Sequence, residues 1–288
     1  MNHESFLVRP GTKIRLRDYD PAFTGQFRSK KDASSKLRKD IERLAEYQDM
    51  LSAQDTHALL VILQAMDTAG KDGTIRHVMS GVNPQGTRVH CFKAPSAEEL
   101  RHDYLWRCVQ ALPERGEIGI FNRSYYEEVL AVRVHPEFLK RQRLPPETTG
   151  KNIWKQRFAE INEFEKYLAG NGIAVLKFFL NLSQEEQKNR LLARIETPEK
   201  NWKFCLGDIQ ERAHWDEYMN AYEDALNHTS TKWAPWHIVP ADNKWFTRTL
   251  VADVIIEKLK SLKLSYPAIS KENREPLLEA KRLLEREG

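Results

Sequence analysis

Short apolar runs alternate with helix-type patterns along most of this chain. The clearest run, 57-HALLVILQ-64, is rich in leucine and β-branched residues, which is typical of a strand buried inside a parallel sheet. Similar runs occupy 86–92, 117–121, 172–182 and 236–240, and helical patterns lie between them. This alternation predicts an α/β fold with a parallel sheet covered by helices on both faces.

Apolar spacing and capping motifs predict the helices. Apolar residues recur at helical spacing over 31–54, so we expect an amphipathic helix there. The capping boxes 96-SAEE-99 and 183-SQEE-186 predict helices that run to about Leu112 and Ile195. The remaining helices are expected near Tyr125, over 148–169, over 208–228 and in a last segment that ends at Leu262.

We expect residues 1–267 to form a single domain. Its first part, 1–54, consists of a polar, turn-rich extension that wraps the surface and of the first helix. Residues 268–288 are charged and partly helical, and we expect them to form a separable C-terminal tail.

Composition and charge exclude several classes of protein. No run of about 18 apolar residues occurs and the N-terminus lacks the apolar core of a secretion signal, so we expect no membrane span and a cytoplasmic location. Cys91, Cys108 and Cys205 are too few and too widely spaced for a disulfide framework or a metal pair. The net charge of +4 is too small to imply a nucleic-acid partner, so only local clusters of Lys and Arg can indicate a polyanion.

The loop 65-AMDTAGKDGT-74 lies between the first strand and a predicted helix. Backbone N–H groups and the helix dipole favour an anion there, and Lys71 adds a positive charge. Ala65 replaces the usual first glycine of an ATP-binding loop, and Asp72 replaces the usual Ser or Thr. Asp67 makes sense in such a loop if it holds Mg²⁺ or orients the attacking group, whereas the alternative is an ordinary turn that contains Gly-Lys. The predicted phosphate contacts are Ala69, Gly70, Lys71, Asp72, Gly73 and Thr74.

A second candidate segment, 121-FNRSYYEEVLAVRVH-135, follows the third strand. Ligands gather at the carboxyl ends of the strands in an open α/β sheet. Arg123 and Arg133 are suited to clamping phosphates, and Glu127 and Glu128 to serving a metal or a ribose. A solvated helix start with acid–base pairs is the alternative for this segment taken alone.

A third candidate segment, 190-RLLARIETPEKNWKFCLGDIQER-212, carries a high load of basic residues. Arg190 and Arg194 lie four residues apart on one helical face, and Lys200 and Lys203 follow in a loop. A mobile basic flap excludes water and neutralises charge in phosphoryl-transfer enzymes. A surface loop with solvated charges is the alternative. Lys93, after the second strand, points to the same sheet edge.

Together these motifs resemble the polyphosphate kinase 2 family along nearly the whole chain. The motif QAMD-x-x-GKDG, together with FNRSYYE, is most similar to the third class of that family, whose members accept both AMP and ADP. The matching segments, in order, are LVILQAMDTAGKDGTIR, GVNPQG, FKAPSAEEL, HDYLWR, IFNRSYYEEVL, LLARIETPEKNWKF and APWHIVPADNKWF.

The resemblance implies a thymidylate-kinase-like P-loop fold with a helical lid at about 190–212, assembled into dimers or tetramers. It also implies Mg²⁺-dependent, reversible transfer of the terminal phosphoryl group of inorganic polyphosphate to AMP or ADP. Guanosine nucleotides also remain possible substrates, because the sequence shows no motif that would recognise a particular base. No membrane or nucleic-acid partner is expected.

The family's motifs fall on named positions of this chain. The loop motif places its Asp and Lys on Asp67 and Lys71, and the second motif places Asn-Arg on Asn122 and Arg123. Glu128 stands where Asp is often expected. Tyr126 and Glu127 complete the second motif, and the lid motif covers Arg194, Pro198, Lys200, Trp202 and Lys203, with Asn201 in its variable slot.

Each candidate receives an expected role. Lys71, Arg123 and Arg194 would stabilise the transferred group, since phosphoryl transfer needs positioning and cations more than covalent chemistry. Asp67 with Glu127 or Glu128 would hold Mg²⁺ or orient the attacking oxygen, with Asp67 and Glu128 as candidate metal ligands. The expected catalytic set also includes Asn122, and the channel and lid set is Lys93, Arg133, Arg194 and Lys203.

Two other functions remain open at this point. An ATP-dependent nucleoside monophosphate kinase would suit the fold, although the loop lacks the Gly and the Ser or Thr that are standard in ATP users. A non-catalytic polyanion-binding protein is disfavoured by the modest net charge and by Asp67.

Overall fold

The computed structural model describes residues 3–27 and 29–287. Met1, Asn2, Arg28 and Gly288 lie outside the described residues, so the predicted N-terminal extension and C-terminal tail are seen without them. No helix in the described ranges is long and apolar enough to cross a membrane.

A parallel sheet forms the centre of the fold, as the alternating pattern predicts. Its strands lie in the order β2-β3-β1-β4-β5, and every pairing between neighbours is parallel. All five predicted strands are therefore confirmed. Their bounds are Ala58–Gln64 (β1), Thr87–Cys91 (β2), Ile118–Asn122 (β3), Ile173–Asn181 (β4) and Trp236–Pro240 (β5).

Helices cover both faces of this sheet. The α-helices of the described chain are Lys30–Gln54 (α1), Lys71–Val78 (α2), Trp106–Val109 (α3), Ala131–Val134 (α4), Pro136–Arg141 (α5), Ile153–Gly170 (α6), Gln184–Glu196 (α7), Leu206–Glu211 (α8), Trp215–Thr229 (α9), Lys244–Ser261 (α10) and Lys271–Glu285 (α11). Several of them are connected by short 3₁₀ segments at Leu16–Asp18, Pro84–Gly86, Glu99–Arg101, Tyr125–Val129, Pro146–Thr148, Pro198–Lys203 and Arg212–His214.

The central strand β1 is buried along its whole length because both of its faces are covered. Alternate residues of a strand point to opposite faces. Leu59 and Leu63 belong to the cluster that includes Leu250 of α10, whereas Leu60 belongs to the opposite cluster with Trp236 of β5. The continuous apolar run of β1 reflects this two-sided burial.

The continuous helix predicted over 96–112 is wrong. The capping box does form, because Ser96 N donates to Glu99 Oε2 at 2.6 Å and Glu99 N donates to Ser96 Oγ at 3.2 Å. The chain nevertheless leaves the helical region at His102, whose φ and ψ are −105° and 170°. Asp103 Oδ1 then accepts from Leu105 N at 2.9 Å and starts a separate turn, so the local cap opens only one turn of helix.

The segment after α7 is helical where a loop was predicted. Residues 198–203 form a 3₁₀ segment and α8 follows it, so the segment is helical as the family resemblance implies, and its role as a lid stays a prediction. The helix predicted over 208–228 is interrupted by a 3₁₀ turn at 212–214 before α9 begins.

The N-terminal extension does more than wrap the surface. Phe6 and Val8 are buried, and Leu7 forms an antiparallel bridge with His237 of β5. Val8 N donates to Trp236 O at 2.9 Å, and Ile238 N donates to Phe6 O at 2.8 Å. The extension therefore covers the free edge of β5, an edge that would otherwise expose unpaired backbone groups.

Candidate active site

The loop between β1 and α2 has the backbone geometry of an anion site. Thr68 and Gly70 have positive φ values of 64° and 103°, and Gly70 is the residue that precedes α2. A left-handed residue is natural for glycine but strained for threonine. The first-turn N–H groups of α2 have no partner inside the helix, so this end of the helix favours a negative charge.

Lys71 is the first residue of α2 and is only 9% exposed. Its Nζ donates to the carbonyl oxygens of Ala65 at 3.0 Å and Met66 at 3.3 Å. Burial, together with the nearby charge of Arg123, lowers the pKa of Lys71 to about 8. The ammonium is therefore held against the loop in a place where an anion would stabilise its charge.

Asn122 and Arg123 lie beside this loop because β1 and β3 are parallel neighbours. Leu63 pairs with Asn122, so both strands end at the same edge of the sheet. Arg123 is left-handed at φ 64° and its N–H donates to Leu63 O at 3.0 Å. Its guanidinium pairs with Asp67 and, at 3.3 Å, with Glu127 Oε2. Glu127 is the main cause of the raised pKa of Arg123, with Asp67 adding to it.

Gln64 orients Glu127, a contact that the sequence alone does not reveal. Gln64 Nε2 donates to Glu127 Oε1 at 2.9 Å, and Ser124 Oγ donates to Gln64 Oε1 at 3.2 Å. Gln64 is fully buried as the last residue of β1, so it fixes the carboxylate from below the loop. In the sequence, a polar residue at the end of an apolar strand could have indicated that Gln64 contributes to the site.

Asp72 has a structural partner at the same edge. Asn122 Nδ2 donates to Asp72 Oδ1 at 2.5 Å, and it approaches Cys91 Sγ at 3.5 Å. This bond joins the first turn of α2 to the end of β3. The carboxylate that replaces the usual Ser or Thr thus holds the loop together in the structure.

The structure does not bring Glu128 together with Asp67. Glu128 is 4% exposed, and its two oxygens accept from Gln142 Nε2 at 2.6 Å and Arg157 Nε at 3.1 Å. Burial is the largest influence on the pKa of Glu128 and raises it.

Tyr126, from the same motif, is also turned into the core. Its hydroxyl donates to Glu165 Oε1 at 2.9 Å and accepts from Lys177 Nζ at 2.8 Å. Glu165 and Lys177 are fully buried and pair at 2.6 Å. Burial lowers the pKa of Lys177 to about 8.

The predicted channel residues lie in separate contacts. Arg133 pairs with Asp224 of α9 at 2.6 Å, and its Nη1 atom is buried without a hydrogen-bond partner among the described residues. Lys93 is exposed, and its carbonyl oxygen accepts from Arg107 Nη1 at 2.9 Å.

The lid residues face one another more than they face the loop. Arg194 pairs with Asp208 Oδ2 at 2.7 Å and donates to Lys203 O at 3.3 Å. Lys203 Nζ lies 4.9 Å from the centre of the Trp202 ring, and that ring is 78% exposed. Burial and the charge of Asp67 raise the pKa of Asp208, which places this pair within electrostatic reach of the loop.

A group of cations beside α2 was missed by the sequence reasoning. The pKa of Lys244 is lowered mainly by burial and next by the positive charge of Arg190. The pKa of Arg248 is lowered mainly by burial and next by the positive charge of Arg76. A Cβ on Gly73 would lie 3.6 Å from Arg248 Nη2, so this guanidinium reaches the first turn of α2. Within residues 3–27 and 29–287, Arg76, Lys244 and Arg248 form no salt bridge. In the sequence, the four-residue spacing of Lys244 and Arg248 in 244-KWFTR-248 could have indicated that both cations lie on one helical face.

No group of three or more His, Cys, Asp or Glu side chains in the described ranges is arranged to hold a metal ion. Asp67 nevertheless offers one carboxylate at the mouth of the loop, and its Oδ2 accepts no hydrogen bond from the described part of the chain. Mg²⁺ commonly uses one or two protein carboxylates, with waters and substrate phosphates completing its shell. The donor set at Asp67 fits that mode of binding.

Comparison with known proteins agrees with this geometry. The family model described as Polyphosphate kinase 2 matches residues 27–266. An ADP-polyphosphate phosphotransferase from Rhodopseudomonas palustris is 50% identical over 282 residues, which are 98% of this chain and 98% of that protein. An AMP/ADP-polyphosphate phosphotransferase from Meiothermus ruber is 44% identical over 265 residues, which are 92% of this chain and 95% of that protein.

A solved structure is similar over nearly the whole fold. The crystal structure of polyphosphate kinase 2 from Arthrobacter aurescens TC1 superposes with a TM-score of 0.87 at 40% identity and covers 98% of this chain and 95% of that one. This likeness confirms the predicted P-loop kinase fold, with its parallel sheet flanked by helices.

Proposed function

The chain belongs to the polyphosphate kinase 2 family, and from this premise we propose that it transfers the terminal phosphoryl group of inorganic polyphosphate to AMP, ADP or both. An oxygen of the nucleotide's terminal phosphate attacks the terminal phosphorus, the bridging P–O bond breaks, and the shortened polyphosphate leaves with the bridging oxygen. The same site would run the step in reverse, with ATP or ADP as the donor.

One observation supports this proposal most strongly. Lys71 and Arg123 converge on the loop at the carboxyl edge of the sheet, and Asp67, four residues before Lys71, pairs with Arg123. Phosphoryl transfer depends on cations placed around the transferred group and on in-line positioning. Lys71 would contact an oxygen of the transferred group, and Arg123 would neutralise the charge that develops on it.

Asp67 is the residue that we propose as the protein ligand of Mg²⁺. A Mg²⁺ ion held there would supply positive charge that neutralises the phosphate oxygens. Glu127 pairs with Arg123 Nη1 whereas Asp67 pairs with Nη2, and Gln64 and Arg123 hold Glu127 in place to orient the attacking nucleotide. Glu128 would support this segment from the core, since both of its oxygens already accept hydrogen bonds.

The cation group beside α2 is the path that we propose for the polyphosphate chain. Polyphosphate carries about one negative charge per phosphate, so it needs spaced cations and no base-type recognition. Arg248 lies next to the first turn of α2, Arg76 lies in the last turn of α2, and Lys244 lies four residues before Arg248 on α10. None of the three has a salt-bridge partner in the described ranges. Arg194 and Lys203 would close over the chain from the lid, and Lys93 and Arg133 would lie farther along the surface.

An assay without ATP tests the proposal. Purified protein is incubated with polyphosphate, Mg²⁺ and either AMP or ADP, and products are separated by chromatography. ADP or ATP formed from these mixtures is the expected result, and its loss with EDTA tests the metal. If ADP forms only from ATP plus AMP, the protein is a nucleoside monophosphate kinase. Tight polyphosphate binding with no product in any mixture would show a non-catalytic binder.

A further inference from the structure

We propose that Arg190, assisted by Gln187, is a positioning residue that holds the phosphate loop in its binding shape; this role rests on the proposed function. Arg190 Nη1 donates to the carbonyl oxygens of Thr68 at 3.1 Å and Ala69 at 2.9 Å. One turn earlier on α7, Gln187 Nε2 donates to Asp67 O at 3.2 Å. Two side chains of one helix thus bind three consecutive carbonyls of the loop.

The other side of the Arg190 guanidinium is anchored to the turn that follows β5. Its Nη2 donates to Ala241 O at 2.6 Å and Asp242 O at 2.9 Å, in the turn between β5 and α10. Its Nε donates to Glu186 Oε1 at 2.7 Å. Every nitrogen of this 7%-exposed residue is therefore occupied, and it has no donor left for a phosphate oxygen.

The clamp also sets the direction of the backbone N–H groups. In a planar trans peptide the C=O and the following N–H point in opposite directions, and the described chain has no cis peptide bond. Drawing the carbonyls of Asp67 and Ala69 toward α7 therefore turns the N–H groups of Thr68 and Gly70 away from it. Neither N–H donates to another atom of the described residues, so both stay available to an anion.

The clamp resists a strained backbone. Thr68 has a positive φ and its hydroxyl is buried without a hydrogen-bond partner in the described chain. A non-glycine residue in this region persists only when its surroundings hold it there. Without Arg190 the loop would relax, and because α7 continues to Arg194, the clamp also ties the base of the lid to the loop.

Substitutions on α7 test the clamp against a direct phosphate contact. Arg190→Met removes the bonds and the charge, whereas Arg190→Lys keeps the charge but cannot span carbonyls on two sides. We expect both to reduce kcat by about 100-fold, because a small misplacement of reacting groups has an effect of that order. The salt dependence of polyphosphate binding should stay close to that of the native protein, because the Arg190 guanidinium has no donor left for a phosphate oxygen. Lys188→Met, which removes an exposed charge from the same helix, is the matched control.

A contact between Arg190 and polyphosphate would give the opposite pattern. Arg190→Lys would then retain most of the activity, and Arg190→Met would reduce the salt dependence of binding by about one charge. That result, or native kcat in a folded Arg190→Lys, overturns the proposal. If the Arg190 variants do not fold, Gln187→Leu carries the test, since it removes the bond to Asp67 O together with the one that Gln187 Oε1 accepts from Arg212 Nη1. It should lower kcat, and an unchanged kcat overturns the proposal there too.

Hydrogen exchange separates this inference from the proposed function. The amides of Ala69 and Thr74, which donate to Met66 O and Gly70 O, should exchange faster in Arg190→Met and in Gln187→Leu than in Lys188→Met, because the clamp no longer restrains the loop. This readout needs no turnover, so it stays informative if the native protein forms no product from polyphosphate. Equal exchange in all three variants would overturn the clamp, whereas inactivity of the native protein would overturn only the proposed function.

Discussion

At the scale of single residues, the site depends on charges held in unusual surroundings. Lys71 is buried and its pKa falls to about 8, while Arg123 is bracketed by Asp67 and Glu127, which raise its pKa. An arginine between two carboxylates keeps its charge at any pH of interest, whereas a buried lysine does not. The two cations of the loop should therefore respond differently to pH.

Removal of either loop residue that is expected to act directly should abolish turnover. Lys71→Ala removes the cation proposed to contact the transferred group, and Asp67→Asn removes the carboxylate proposed for Mg²⁺ while keeping its size. We expect a loss of at least about 100-fold in kcat for each, with a circular dichroism spectrum like that of the native protein. Near-native turnover in either variant would contradict the assignment.

Polyphosphate binding should weaken on the alkaline side with a midpoint near the Lys71 pKa of about 8. Burial favours the neutral amine, so the positive charge is complete below that pH and is lost above it, and only the charged form attracts phosphate. Calorimetric titration from about pH 7 to about pH 9.5 would measure the effect.

Two variants assign this pH dependence. Lys71→Met should bind weakly and without the alkaline decrease. Lys244→Arg should keep it, because arginine retains the charge at a position where the lysine pKa is also lowered by burial. A decrease that disappears in Lys244→Arg but persists in Lys71→Met would show that Lys244 is the titrating group.

At the scale of elements, the proposed lid is held by an ion pair that a phosphate bound to Arg194 would have to break. Arg194 at the end of α7 pairs with Asp208 of α8, and Asp208 has a pKa raised by burial and by Asp67. Trp202, Phe204 and Leu206 of the lid are all exposed. In this structure Arg194 is paired with Asp208 inside the same segment. To bind a phosphate, Arg194 would have to release Asp208.

Opposite effects are expected from the two members of this pair. Asp208→Asn should lower KM for polyphosphate by about two- to five-fold, the range for a partly exposed ion pair, because Arg194 no longer has a competing anion. Arg194→Gln should lower kcat instead. Steady-state kinetics at fixed ionic strength would measure both. A raised KM in Asp208→Asn would mean that the aspartate orients Arg194 for substrate.

At the scale of the whole molecule, the two ends of the chain behave differently. The N-terminal extension covers the edge of β5 with Phe6 and Val8 buried. At the other end, α11 leaves Leu277 and Leu284 52% and 68% exposed. Homo-oligomeric assembly stays a prediction from the family resemblance, and light scattering of the full chain and of a chain ending at Pro267 would test it.

Loss of the Phe6 ring should destabilise the whole fold. Phe6 is 5% exposed and packs against Phe246 with ring centres 6.0 Å apart. Phe6→Ala leaves a cavity at the sheet edge, so we expect the free energy of unfolding to fall by about 3–5 kcal/mol. Phe138→Ala is the control, because that ring is 36% exposed. Equal urea midpoints for the two variants would show that the extension is not part of the folded core.

The sequence by itself determined the sheet, the order of the chemical motifs and the family. Strands and motifs are local patterns: a buried parallel strand reads as an apolar run, and 65-AMDTAGKDGT-74 places Lys71 at a helix start without knowledge of any distant residue. The capping box at 96–99 formed as predicted, but its helix ended after one turn because local signals do not decide how far a helix extends.

Only the tertiary structure decided which charges meet. Glu127 and Glu128 are neighbours in sequence, yet one turns to Arg123 and the other to Arg157, because successive residues of a turn point in different directions. The sequence places Arg190 and Arg194 on one helical face. In the structure, Arg190 donates to four backbone carbonyls, whereas Arg194 pairs with the carboxylate of Asp208. The sequence shows where the basic residues are. Partners from distant segments decide which of these residues stabilise the fold and which remain available to a phosphate.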